Sequence, residues 1–112
     1  MVLVVGGVAS GKRTYVRSLG YADEQMDALV RSEKPVLYGL EETLRAGALG
    51  SEELRCLERK DVVVCCEVGM GVVPLDPGER AWQELVGRTC CVVAQHADEV
   101  VRMVCGIPVR IK

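Results

Sequence analysis

The sequence contains no phenylalanine, and aromatic residues make up only 4% of its 112 residues. Proteins that bind single-stranded nucleic acids stack the bases on aromatic side chains, and so few aromatic residues do not build such a surface. The net charge of −2 also leaves no overall positive field to attract a phosphate backbone. We therefore predict that nucleic acid is not a partner of this protein.

Long hydrophobic runs are missing as well. No stretch approaches the roughly 20 consecutive apolar residues that a membrane-spanning helix needs. The first residues also lack the charged start and the cleavage site of a signal peptide. These absences predict a cytoplasmic protein that has no membrane partner.

Cysteine is plentiful but lacks the usual metal-binding or redox spacing. None of the six cysteines forms a C-x-x-C pair, and four of them stand as two adjacent pairs inside apolar runs. In a reducing compartment such residues are small buried hydrophobic side chains. A metal site or a disulfide framework is the alternative interpretation.

The residues that are present predict one α/β domain over residues 1–112, because an apolar content of 49% is enough for a packed core. Apolar residues on consecutive positions are typical of parallel strands covered on both faces. Strands are predicted at Met1–Val5, Asp61–Cys66 and Glu99–Cys105, with an edge strand at Val109–Lys112, and helices at Lys12–Leu19, Asp23–Arg31, Glu41–Ala46, Ser51–Glu58 and Glu79–Ala97. This order predicts a small, mostly parallel sheet in three layers, with an antiparallel C-terminal edge strand.

A glycine-rich stretch joins the first predicted strand to the first predicted helix. Gly6, Gly11 and Lys12 match the spacing G-x-x-x-x-G-K of a phosphate-binding loop. In such a loop, backbone N–H groups, the positive end of the helix dipole and the lysine ammonium converge on phosphate oxygens. The predicted binding residues are Gly6, Gly7, Val8, Ala9, Ser10, Gly11, Lys12, Arg13 and Thr14. The alternative is a structural strand-to-helix turn that holds no ligand.

One position departs from this motif. The residue after the lysine is normally Ser or Thr, whose hydroxyl group binds magnesium, and here it is Arg13. Ser10 and Thr14 flank the position and can partly substitute, so Thr14 is a candidate metal ligand. In a loop that does not use magnesium, the Arg13 guanidinium neutralises phosphate itself.

Glu67 is the second candidate site residue, because it follows the strongly apolar segment DVVVCC. Ligands of open parallel sheets bind beyond the carboxyl ends of the strands. If the strands are close, Glu67 and Lys12 share one edge, where the carboxylate can bind magnesium or orient a substrate hydroxyl. The alternative role is that of a hydrogen-bonded loop anchor. The long loop at residues 69–77 is predicted to be a binding loop or a lid.

The C-terminal half carries a specific resemblance. EVGMGVVPLDPGERAWQELVGR, followed by ADEVVRMVCGIPVRIK, resembles the adenosylcobinamide kinase / adenosylcobinamide-phosphate guanylyltransferase family of cobalamin biosynthesis. The N-terminal VLVVGGVASGKR is similar to that family's GGxRSGKS loop, with Arg13 in place of Ser. KPVLYGLE resembles its R-P-x-x-W-x-T-x-E segment, with Tyr38 for Trp and Glu41 for the nucleotide-contacting Glu.

The resemblance implies a RecA-like P-loop fold, ATP or GTP as phosphate donor, Mg²⁺ as cofactor, a corrinoid alcohol as acceptor, and homo-oligomers. Family members phosphorylate adenosylcobinamide and then transfer GMP through a histidine. By this resemblance, the chain looks like a short, internally deleted member with no histidine between Ala28 and Lys34, and its one histidine, His96, lies elsewhere. The family's acidic, magnesium-binding strand is also absent. Guanylyl transfer is therefore not expected.

Three hypotheses follow from the sequence. The first is a minimal kinase in which Lys12 holds the phosphates and Glu67 serves as the metal or hydroxyl partner. The second is a degenerate, non-catalytic subunit that binds nucleotide or corrinoid, which Arg13 favours. The third is a purely structural subunit. Magnesium separates the first two, because only the kinase is expected to bind nucleotide more tightly when magnesium is added.

Overall fold

A six-stranded sheet forms the centre of the computed structural model, which describes residues 1–69 and 73–112. The strands are β1 (Val2–Gly6), β2 (Met26–Asp27), β3 (Val36–Tyr38), β4 (Val62–Cys66), β5 (Glu99–Val104) and β6 (Ile107–Arg110). Their order across the sheet is β2-β3-β4-β1-β5-β6. β5 and β6 pair antiparallel, and the other neighbours pair parallel. The prediction of a mostly parallel sheet with an antiparallel C-terminal edge strand is confirmed.

Helices cover both faces of this sheet. They are α1 (Lys12–Ser18), α2 (Leu40–Thr43), α3 (Ser51–Glu58) and α4 (Pro77–His96), with 3-10 turns at Asp23–Gln25 and Leu44–Ala46. α1 packs through Val16 on one face. The other three helices pack on the opposite face, where Leu40, Leu57 and Val93 are buried. The result is the three-layer α/β arrangement that the sequence predicts.

The central strands are apolar at consecutive positions because each of their faces meets a different buried cluster. On β1, Leu3 faces the side of α2, α3 and α4, and Val4 faces the side of α1. On β4, Val63 faces the side of α2, α3 and α4, and Val64 faces the side of α1. Because side chains alternate between the faces of a strand, a strand buried on both sides needs apolar residues throughout.

The predicted helix at Asp23–Arg31 is wrong. Only a 3-10 turn forms at Asp23–Gln25, and the chain then enters β2, where Met26 pairs with Val36 and is buried. The Asp27 carboxylate accepts a hydrogen bond of 3.2 Å from the Leu29 N–H. This local bond competes with helix formation, and pairing with β3 decides the outcome.

The predicted helix at Glu41–Ala46 is divided into α2 and the 3-10 turn at Leu44–Ala46, and most other boundaries shift by one or two residues. Two of these shifts have clear local reasons. α4 begins two residues earlier, because the Asp76 side chain accepts a 2.8 Å hydrogen bond from the Gly78 N–H and caps the helix. β6 begins earlier as well, because Cys105 and Gly106 both have positive φ values, 50° and 77°, and form a two-residue hairpin turn. Of the predicted binding loop at 69–77, residues 70–72 lie outside the described residues.

Within residues 1–69 and 73–112, no helix combines the length and the apolar character that crossing a membrane requires.

Candidate functional site

The glycine-rich loop lies between the end of β1 and the start of α1, at the carboxyl edge of the parallel strands. Gly6 leaves the space that Ser10 occupies, since a Cβ atom on Gly6 would lie 2.5 Å from Ser10 Oγ. Gly11 has a φ of 95°, and a Cβ there would lie 3.1 Å from the Cα of Gly106. A side chain at either position would lie too close to neighbouring atoms, which favours glycine at both. Gly11 is favoured by its left-handed backbone conformation as well.

Lys12 is directed into the loop. It is the first residue of α1, its side chain is buried, and its Nζ donates a 2.6 Å hydrogen bond to the carbonyl oxygen of Gly7. A buried ammonium group needs such a partner. An anionic oxygen placed over the loop would be a stronger partner for the ammonium than the Gly7 carbonyl.

The same loop and helix start carry polar groups without a protein partner among the described residues. No side chain caps the N-terminus of α1, so N–H groups of its first turn remain available. The Ser10 hydroxyl is buried and has no hydrogen-bond partner within the described residues. A pocket of about 260 Å³ lies here, lined by Ala9, Ser10, Gly11, Lys12, Arg13, Thr14 and Tyr38. The arrangement is suited to hold an anion.

The β5–β6 hairpin supports the loop from behind. The Gly106 N–H donates a 3.0 Å hydrogen bond to the carbonyl oxygen of Ser10. Gly106 also approaches Gly11 closely, as described above. The turn of the C-terminal hairpin therefore helps to set the shape of the N-terminal loop, although about 95 residues separate the two in sequence.

Glu67 lies at the expected edge of the sheet, since β4 is the neighbour of β1 and the Glu67 N–H donates to the Gly6 carbonyl at 2.8 Å. Its carboxylate, however, is already bound. Arg102 on β5 donates from Nε to Oε1 at 2.8 Å and from Nη2 to Oε2 at 3.2 Å. This bidentate interaction raises the pKa of the Arg102 guanidinium. The Glu67 carboxylate is therefore paired with a cation from the protein itself.

Glu41 serves as a structural link in this geometry. Its Oε1 accepts a 2.7 Å hydrogen bond from the Cys66 N–H, and its carbonyl oxygen accepts one of 2.8 Å from the Trp82 indole. Glu41 thereby ties α2 to β4 and to α4. Burial raises the pKa of the neighbouring Cys66 thiol, while the positive charge of Lys12 opposes this shift.

Arg13 and Thr14 are both exposed and both line the loop pocket. The Arg13 guanidinium carbon lies 4.3 Å from the centre of the Tyr38 ring, which is the geometry of a cation–π contact. Its Nη1 is 3.5 Å from Asp23 Oδ1. Sequence reasoning named Tyr38 only through the family resemblance, and it missed Arg102 altogether.

These features define a three-layer α/β protein with a glycine-rich loop after its first strand. A mainly parallel sheet is covered by helices on both faces, and a glycine-rich loop with a buried lysine joins the first strand to an uncapped helix. A sequence model described as cobinamide kinase / cobinamide phosphate guanyltransferase matches residues 51–111, which is more than half of the chain. The chain belongs to this family, and its membership supports a role in cobalamin biosynthesis. A search of curated protein sequences found no match.

Proposed function

We propose that the chain binds the polyphosphate of ATP or GTP in the loop between β1 and α1. The proposal rests on one observation above all: Lys12 lines the loop pocket, and its buried ammonium group donates a hydrogen bond to the loop carbonyl of Gly7. The family match begins at residue 51 and does not include this loop. The loop geometry is therefore support that is independent of the match.

Within the family, the reaction that fits the site is phosphoryl transfer from the nucleotide to the hydroxyl of a corrinoid alcohol such as adenosylcobinamide. Lys12 and the amides of the loop would hold the phosphates and stabilise the charge of the transferred group. Glu67 would accept a hydrogen bond from the acceptor hydroxyl, with Arg102 fixing its position. Guanylyl transfer is not part of the proposal, because residues 28–34 contain no histidine.

Protein-held magnesium does not fit the residues present. Of the expected ligands Thr14 and Glu67, Thr14 lines the pocket, but both Glu67 oxygens are bonded to Arg102, so the pair offers magnesium one hydroxyl group and no free carboxylate. The guanidinium of Arg13 offers only donors and stands where a hydroxyl ligand would be needed. Among residues 1–69 and 73–112, no group of three or more His, Cys, Asp or Glu side chains is placed to hold a metal ion. No step of the proposed reaction is therefore assigned to the metal.

A non-catalytic nucleotide- or corrinoid-binding subunit is the second candidate. The Glu67–Arg102 ion pair favours it, because a carboxylate with both oxygens engaged is a weak partner for an incoming hydroxyl group. This candidate shares the binding site with the kinase and differs only in lacking turnover.

The proposal includes a homo-oligomer. Four apolar side chains on one face of the β5–β6 hairpin are exposed, and the pairings Val104↔Ile107 and Arg102↔Val109 place them side by side. They are Val104, Ile107, Val109 and Ile111. Contiguous exposed apolar surface of this kind is typical of contacts between protein chains, and we propose a second copy as the partner.

The test is a transfer assay with ATP or GTP and adenosylcobinamide, combined with nucleotide binding by calorimetry. Lys12→Ala is expected to abolish binding and transfer. Lys34→Ala, which removes the same charge from an exposed position outside the loop pocket, is expected to change neither. Binding without transfer would select the non-catalytic candidate. If the unmodified protein neither binds nor transfers at millimolar nucleotide, the proposal is wrong.

A further inference from the structure

We infer that Arg13 supplies from the protein the counter-charge that a bound polyphosphate usually receives from magnesium, so that the loop takes the metal-free form of its ligand. The inference rests on the proposed function, because it concerns the same pocket. It adds the chemical form of the ligand, a polyphosphate that is not complexed with a divalent cation, and it thereby favours the non-catalytic binding candidate over the kinase.

The position of Arg13 is the first support. It is the second residue of α1, directly after Lys12, and it lines the loop pocket together with Tyr38. Its guanidinium lies over the Tyr38 ring at 4.3 Å, and its side chain remains 44% exposed. The planar donor fork is therefore held at the wall of the pocket without being buried or saturated by acceptors. Such a fork matches the oxygens of a phosphate group.

The local charge balance is the second support. Among residues 1–69 and 73–112, the carboxylate within ion-pair distance of Arg13 is that of Asp23, whose Oδ1 lies 3.5 Å from Nη1, longer than a direct hydrogen bond. Arg17 already occupies both oxygens of Asp23, with Nε to Oδ1 at 2.8 Å and Nη2 to Oδ2 at 2.6 Å. The Arg17 hydrogen bond also lowers the pKa of Asp23, which keeps it ionised. Two guanidinium groups share one carboxylate, so a full positive charge remains at the pocket wall.

A bound metal would oppose this arrangement. A guanidinium donates hydrogen bonds and has no lone pair for a cation, and its charge repels a divalent ion at short range. Complexation with magnesium also removes two negative charges from the ligand, which weakens its attraction to Lys12 and Arg13. Both effects favour the metal-free polyphosphate.

The experiment is a calorimetric titration of the whole chain with ATP and with inorganic tripolyphosphate, each in EDTA and in excess magnesium at equal ionic strength. Tripolyphosphate isolates the phosphate site from contacts of the base. Three variants are compared with the unmodified chain. Arg13→Ser restores a hydroxyl, Arg13→Lys keeps the charge but not the fork, and Arg88→Ser removes an exposed arginine from α4 as a matched control.

We expect the unmodified chain and Arg88→Ser to bind both metal-free ligands about tenfold or more tightly than the magnesium complexes. Arg13→Ser should bind the metal-free ligands about tenfold or more weakly than the unmodified chain, which is the loss expected when a charged hydrogen bond to phosphate is removed. It should also bind more tightly when magnesium is added. The affinity of Arg13→Lys for the metal-free ligands should fall between those of the unmodified chain and Arg13→Ser. Thermal unfolding of each variant reports whether it is folded.

Tighter binding of the magnesium complexes by the unmodified chain overturns the inference and leaves the proposed function intact. Equal metal-free affinity in a folded Arg13→Ser variant overturns it as well. Absence of binding in every condition removes the proposed function, and this inference with it.

Discussion

Gly6→Ala tests how tightly the glycine-rich loop is packed against the sheet. Gly6 is the last residue of β1 and pairs in register with Met103 on β5. An added Cβ would lie 2.5 Å from Ser10 Oγ and 3.1 Å from both the Cβ and the carbonyl oxygen of Met103. Ser10 can rotate its hydroxyl away, but the Met103 backbone is fixed by strand pairing. The variant therefore has to move either the loop or the strand.

The magnitude follows from two opposing terms. Overpacking of a tight site costs about 1–3 kcal/mol, whereas replacing glycine by alanine stabilises by about 0.4–1 kcal/mol because the unfolded chain loses freedom. Gly7→Ala isolates the second term, since nothing lies within 4 Å of its Cβ and its φ is not positive. The difference in the free energy of unfolding between the two variants should therefore be about 1–3 kcal/mol.

Urea unfolding of both variants measures this difference, and thermal unfolding should show a lower Tm for Gly6→Ala, by about 4 °C or more per kcal/mol. Nucleotide affinity should fall in Gly6→Ala as well, because Ser10 is displaced within the binding loop. If Gly6→Ala is as stable as Gly7→Ala and binds equally well, the close packing described here does not exist in solution.

Three further predictions concern other contacts. Arg102→Leu should lower the free energy of unfolding by about 1–3 kcal/mol in urea, because Glu67, only 20% exposed, loses its partner; adding Glu67→Gln should recover most of this loss. The hydrogen bond from Arg17 lowers the pKa of Asp23 in the folded protein. The contribution of this ion pair to stability is therefore complete above the unfolded pKa of about 3.9, and it is lost as the pH falls through the lower folded value. NMR titration should show Asp23 titrating below a free Asp, and nearer to it in Arg17→Gln. Ile107→Glu should shift sedimentation toward monomer, whereas an oligomer that persists would place the interface elsewhere.

Much of the fold was accessible from the sequence because its strongest signals are local. The first strand, the glycine-rich turn and α1 follow one another within 18 residues, and each element is specified by its own residues. α3 and β4 were also predicted within a residue of their observed bounds. Consecutive apolar residues and glycine spacing report directly on burial and on backbone conformation.

The elements that sequence reasoning missed are those created by contacts between distant segments. β2 is two residues long and exists only because Met26 and Asp27 pair with β3. Met26, Leu29 and Val30 have the spacing of one helical face, but Met26 and Val30 contact different buried clusters, and Leu29 is 66% exposed. A short segment with an ambiguous period cannot reveal such pairing.

The contact between Glu67 and Arg102 in the candidate site also joins segments that are distant in the sequence. Arg102 lies on β5 and reaches past β1 to Glu67 on the far side, a contact that depends on the strand order β4-β1-β5. The one available signal was a charged residue within the otherwise apolar run VVRMV, since charged residues in central strands are usually paired. Motif reasoning left Glu67 as either a ligand-binding carboxylate or a hydrogen-bonded loop anchor, because its partner Arg102 comes from another part of the chain.

The ion pairs around the loop determine which charges remain for a ligand. Arg17 neutralises Asp23, and Arg102 neutralises Glu67, so neither carboxylate contributes a free negative charge at the carboxyl edge of the sheet. Lys12 and Arg13 then contribute positive charge beside the pocket, and the carboxylate paired with Arg13, that of Asp23, is shared with Arg17. A site with two such cations attracts a ligand most strongly when that ligand keeps its full negative charge. Under the proposed function, Arg13, at the position where the motif has Ser or Thr, thus favours a ligand that carries no metal.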